Sequence, residues 1–200
     1  MTRDHVVPKA LWIERQRPPS MVTVPACVPC HKYLDSDAEY FRNALILLAE
    51  SEHHPMVKVI EEGPFAGAIK RNSDSIRPFL VNQRPSLKRS VSGLITEIGF
   101  TAPFDFAKFE GFIKKIVRGL FFHAYKSCFP AGYSISVWPN RSFWDDPSFQ
   151  SILEKMPPYV SYGDSVFQCR YTRDISDLNR TAWLLLFYRS VGVFAWTAPS

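Results

Sequence analysis

Between Phe106 and Ala124 an apolar side chain returns every three or four residues: Phe106, Phe109, Phe112, Ile113, Ile116, Val117, Leu120, Phe121 and Ala124. That period lines them along one face of an α-helix. The spacing predicts a helix over about 105–127, with Lys108, Lys114, Lys115 and Arg118 largely off the stripe as a basic outer face. No other segment carries so long an apolar face, so this helix is the element against which the rest must pack.

Downstream the period changes to that of strands. Tyr133–Trp138, Ser165–Thr172, Ala182–Tyr188 and Val191–Trp196 are rich in β-branched and aromatic residues. The last two are separated by a tight turn at Arg189-Ser190, which suggests a hairpin. A short helix is expected over Pro147–Met156. Together these predict an α+β fold with an antiparallel sheet on the long helix.

Upstream, two short extended pieces, His5–Val7 and Met21–Val24, end at Pro8 and Pro25. A helix over about 37–51 follows, with Ser36 as N-cap and Glu39 three residues on, the capping-box pattern. Its stripe is Tyr40, Phe41, Ala44, Leu45, Leu47 and Leu48. Pro55–Glu62, Pro64–Lys70 and Ser73–Val81 are each read as short helices, and 91–98 as a strand. The expected organisation is a β-β-α unit over 1–52 and an α+β unit over 53–200.

Charge narrows the partner classes. The chain has 200 residues, 46% of them hydrophobic and 22% charged, enough for a packed core and against wholesale disorder. No apolar run approaches the roughly 18 residues of a membrane span, and Met1–His5 lacks the apolar core of a leader, so a soluble, cytoplasmic protein without membrane contact is expected. Lys and Arg number 24 against 19 Asp and Glu, a net charge of +5. Residues 70–89 hold Lys70, Arg71, Arg77, Arg84, Lys88 and Arg89 against Asp74 alone, an excess equal to the whole net charge. Such a run is either a solvated face or a set of contacts to a nucleic-acid backbone. Phe79 is its only aromatic residue, so base stacking is not indicated.

The residues with recognisable chemistry lie in the first 41. They read Asp4-His5-Val6-Val7-Pro8, then Val24-Pro25-Ala26-Cys27-Val28-Pro29-Cys30-His31, then Asp37-Ala38-Glu39-Tyr40-Phe41. An acidic-His pair on one extended piece, a Cys-x-x-Cys-His turn after a second, and a helix behind them resemble the HNH endonucleases of the ββα-metal superfamily. The resemblance is to an uncharacterised bacterial branch. It implies His5 as the general base, and Asp4 with His31 as ligands of Mg²⁺ or Mn²⁺. It also implies DNA as substrate, with the 70–89 cations on its backbone. A neutral imidazole can accept water's proton near pH 7, and a divalent ion suits phosphodiester chemistry. Cys27 and Cys30 supply half of a structural Zn²⁺ site, or a turn with packed thiols.

The chain departs from that pattern. No Cys-x-x-Cys pair precedes Asp4, and residues 14–21 contain no Asn to brace the loop. Cys128 and Cys169 sit singly in core-like segments, away from any ligand spacing. Two functions from different classes are therefore expected: a metal-dependent HNH-type endonuclease, or a catalytically inactive HNH-derived protein that binds a protein or nucleic-acid partner. His53 and His54 are expected in a polar loop, and His123 as a structural histidine in the long helix.

Overall fold

The computed structural model describes residues 2–26, 37–49, 52–81, 83–89, 94–138 and 147–200. Strand β1 (Thr2–His5) pairs antiparallel with β2 (Thr23–Ala26), Asp4 opposite Val24 and His5 opposite Thr23. Helix α1 (Ala38–Leu48) follows. Helix α2 (Pro55–Ile60) runs through a π-helical turn, Glu61–Phe65, into α3 (Ala66–Lys70), and α4 (Arg77–Leu80) comes next. Strands β3 (Arg84–Arg89) and β4 (Ile95–Thr101) form a separate antiparallel ribbon. Helix α5 (Phe106–Tyr125) is the long one. The remainder is β5 (Tyr133–Trp138), α6 (Pro147–Lys155), β6 (Val160–Tyr162), β7 (Phe167–Arg173), β8 (Thr181–Phe187) and β9 (Val191–Pro199). The five strands form one antiparallel sheet in the order β5-β9-β8-β7-β6. The fold is α+β.

Alternation along the strands gives the sheet two apolar faces. Trp183, Leu185 and Phe187 of β8 and Val193 and Ala195 of β9 are buried in the main core with Phe109, Phe112, Ile116, Val117, Leu120 and Phe121 of α5. Leu184 and Phe194 face the other way and pack with Phe149, Leu153 and Met156 around α6. Phe41 ties the N-terminal elements into the main core. Its ring stacks on Phe112 at 4.9 Å and meets Phe187 edge-on at 5.6 Å.

Local chemistry sets the helix ends. The Asp105 carboxylate accepts from Lys108 N–H at 3.1 Å and caps α5. Lys126, at φ 55°, closes its C-terminus. His54 is buried rather than part of a polar loop. Its Nδ1 accepts from Met56 N–H at 3.1 Å, capping α2, while Nε2 donates to the Asp164 carbonyl at 2.8 Å. Both ring nitrogens are thus used by one neutral tautomer.

Several sequence expectations are corrected. Pro64 does not open a new helix but lies inside the π turn, where a wider backbone tolerates its missing N–H. Leu47 and Leu48 do not complete the α1 stripe, being 49% and 46% exposed. The expected strand at 91–98 is the β4 strand at 95–101, and its partner β3 falls where the sequence suggests no strand. The last hairpin turns one residue early, with Tyr188 and Arg189 both at positive φ and Ser190 N–H donating to the Phe187 carbonyl at 3.1 Å. Tyr188 accepts that backbone because its hydroxyl donates to the Leu11 carbonyl at 3.0 Å in the core.

Two close approaches seat the N-terminal strand. A Cβ at Gly119 would lie 2.7 Å from Val6 Cγ2, so the bare backbone of α5 receives Val6 directly. At Gly163, with φ +53°, a Cβ would overlap the Trp12 indole, whose Nε1 donates to the Gly163 carbonyl at 3.5 Å.

Two alanine substitutions in the same helix should have opposite signs. A Cβ added at Gly111 would meet nothing within 4 Å, so Gly111→Ala should stabilise by up to about 1 kcal/mol through helix propensity. Gly119→Ala gains the same propensity but must displace Val6, and should destabilise by about 1–3 kcal/mol through overpacking. Urea unfolding midpoints of the two variants check this, and equal shifts would refute the close contact.

Candidate functional site

Asp4 and Val6 leave β1 on one face, and both meet α5, at Lys115 and Gly119 respectively. Those two helix positions are four apart, so they stack on one side of α5. The Asp4 and Val6 positions are two apart and stack on one side of the strand. The Asp4 carboxylate lies 2.8 Å from Lys115 Nζ, with the two side chains only 9% and 15% exposed. The Lys115 ammonium also stands 5.8 Å from the Phe112 ring centroid. His5 is half-buried. Adjacent positions of an extended strand alternate between its two faces.

The basic outer face expected on α5 is largely a set of paired cations. Lys115 is held by Asp4, Lys114 lies 3.0 Å from Glu110, and Lys108 lies 3.5 Å from Asp37 and over the Tyr40 ring. A period-based reading sees Glu110, four residues from Lys114, but not Asp4 or Asp37, which are distant in the chain.

His31, Cys27 and Cys30 lie outside the described residues, as does Ser36. The six cations of 70–89 are spread over several elements. Lys70 and Arg71 are exposed at the end of α3. Arg77 at the start of α4 is tied to Asp74 at 3.1 Å and donates to the Asn72 carbonyl. Arg84 begins β3 and borders an open hollow of about 600 Å³ with Gln83, Thr101, Ala102 and Pro103. Lys88 and Arg89 lie on β3, where the backbone sets Glu97 and Ile95 opposite them.

The donor set gives a test of a divalent-ion site. Among the described residues no three His, Cys, Asp or Glu side chains gather as metal ligands. Asp4 Oδ2 faces the Lys115 ammonium at 2.8 Å. Cys169 is buried in β7, where burial pushes its thiol up to about 12, while Cys128 is exposed.

The sequence also hid a second buried cation. Arg42 on α1 is 7% exposed, and its Nε and Nη2 donate to Asn43 Oδ1 at 3.1 and 2.9 Å. Asn43 Nδ2 donates in turn to the Ser75 carbonyl and hydroxyl. Arg42 occupies a flank of an amphipathic stripe, and nothing in the spacing distinguishes it from a solvated arginine.

Lys115→Met should leave the Asp4 carboxylate buried without its cation and cost about 3 kcal/mol. Adding Asp4→Asn should restore much of that loss, a coupling that a double-mutant cycle by urea unfolding measures. Additive losses would show that the pair does not hold β1 to α5. In the native chain at pH 8, Cys128 should react with iodoacetamide while Cys169 resists, since a thiol titrating near 12 carries little thiolate. Peptide mapping after labelling reads out both.

No protein-family model, curated protein or solved structure matches the chain. Function therefore rests on the residues and their geometry.

Proposed function

We propose that this chain is an HNH-derived protein that binds a nucleic acid through its phosphate backbone and does not hydrolyse it. The observation that carries this reading is the Asp4–Lys115 ion pair. Lys115 Nζ stands 2.8 Å from Asp4 Oδ2, so a Mg²⁺ or Mn²⁺ ion on this carboxylate would have to compete with an ammonium for its charge. Breaking a buried pair costs about 3–5 kcal/mol, because one charge is left without its partner. Mg²⁺ adds its own reluctance to shed water. The pair thus supplies inside the protein the positive charge that the carboxylate needs. The net charge of +5 supports a polyanionic partner.

A second reading, a metal-dependent HNH-type endonuclease, is favoured by one feature: β1 carries Asp4 and His5, pairs antiparallel with β2, and α1 follows in the chain. In that reading His5 is the general base, and Asp4 and His31 hold the ion.

Incubation of the full chain with supercoiled plasmid and Mg²⁺ or Mn²⁺ separates the two. The binding reading expects retarded but uncut plasmid, with affinity falling as salt rises by a slope of about −0.9 per phosphate contacted. Metal-dependent nicking that His5→Ala abolishes would replace it with the nuclease reading. Absence of both nicking and retardation would sink the nucleic-acid partner.

A further inference from the structure

We infer that the hollow between the 3₁₀ turn Glu14–Gln16, helix α2 and the β6–β7 turn binds a small zwitterion with an apolar side chain, the chemistry of a free α-amino acid such as leucine. The site is independent of the nucleic-acid reading above.

The hollow is open and measures about 390 Å³, a size that suits a small molecule. Opposite charges line it. Arg15, on the 3₁₀ turn, supplies a guanidinium, and Asp164, between β6 and β7, supplies a carboxylate. Among the described residues neither takes part in an ion pair, with the other or with a third group. The charged groups next to them are engaged. Glu14 lies 3.9 Å from Arg17, and Arg189 donates to Ser165 Oγ at 3.4 Å. Pro55, Met56 and Val59 of α2 add an apolar wall.

The carboxylate is placed by its backbone. Gly163, Asp164 and Ser165 have φ of +53°, +53° and +68°. Two successive non-glycine residues in the left-handed region are uncommon, and such backbone persists only where its surroundings fix it. Two distant elements do so here. His54 Nε2 donates to the Asp164 carbonyl at 2.8 Å, and the Trp12 indole donates to the Gly163 carbonyl at 3.5 Å. His54 is buried, and its Nδ1 accepts from Met56 N–H. One imidazole thus starts α2, which carries the apolar wall, and fixes the turn that carries Asp164. Charge and wall are set before a ligand arrives, which lowers the ordering cost of binding.

The pair of charges selects the ligand. A simple anion would meet Asp164, a simple cation would meet Arg15, and a neutral molecule would leave both without a partner. A molecule with a carboxylate and an ammonium on one carbon satisfies both. The planar fork of Arg15 suits the carboxylate, and Asp164 accepts from the ammonium. The third substituent on that carbon covers Met56 and Val59, so an apolar one is favoured.

Thermal unfolding of the full chain in rising L-leucine, with N-acetyl-leucine and leucinamide as matched probes, tests the site. Leucine at about 100 times its Kd should multiply the folded-to-unfolded ratio about 100-fold. N-acetyl-leucine lacks the ammonium and leucinamide lacks the carboxylate, so each should bind about tenfold more weakly. Asp164→Asn retains a residue that tolerates left-handed backbone. It should weaken leucine about tenfold and erase its advantage over N-acetyl-leucine. Arg15→Gln, on the surface, should likewise erase the advantage of leucine over leucinamide. An unfolding midpoint that does not move in millimolar leucine would overturn the site, as would a leucine response that both variants retain in full. N-acetyl-leucine bound as tightly as leucine by the native chain would overturn the zwitterion as its ligand.

Discussion

The fold depends on one place where a helix lacks a side chain. Gly119 leaves the flank of α5 open at backbone level, and Val6 fills it. That contact sets how close β1 can come, and closeness decides whether Asp4 can reach Lys115 one turn away. With β1 held, β2 pairs with it in a fixed register, and Val6 N–H donates to the Val22 carbonyl at 3.0 Å to extend the pairing. The chain then runs to Trp12, which lies over Gly163 between β6 and β7. A glycine in the interior of a helix is weak in propensity, and here that weakness is exchanged for a close approach between two elements distant in sequence.

The same logic explains which parts of the fold are legible in the sequence. The long helix is legible because its apolar period lasts for five turns and its partner is a whole sheet face. The strands β5, β7, β8 and β9 are legible because alternation and β-branched residues agree there. β3 is not, because Leu87 stands alone among Arg84, Pro85, Ser86, Lys88 and Arg89, and its pairing is supplied by β4 alone. The final turn comes one residue before its expected place because a buried tyrosine is an unusual occupant of a left-handed conformation. A hydroxyl bonded to Leu11, far away in sequence, holds Tyr188 there.

The candidate site is legible only as composition. Asp4 and His5 stand out by their neighbours, yet adjacent residues of a strand alternate between its faces, and Asp4 is engaged by Lys115. In the sequence Lys115 looks like one of four solvated lysines and arginines on α5. It is instead the partner of Asp4, because an ion pair between elements over 100 residues apart leaves no local mark. His54 looks like loop filler and is a helix cap, which a His-Pro sequence before a helical stretch could have signalled.

Net charge does not locate a single surface, for a related reason. The excess in 70–89 equals that of the chain, but Arg77 is engaged by Asp74, and the other five cations are divided between a helix end and a ribbon. The charges with the largest consequences are the two buried ones. Lys115 has a carboxylate against it, so its positive charge is neutralised within the fold. Arg42 has the Asn43 amide as its hydrogen-bond partner, with the Glu39 carboxylate nearby favouring its charged form. The arrangement around β1 thus satisfies its charge within the fold.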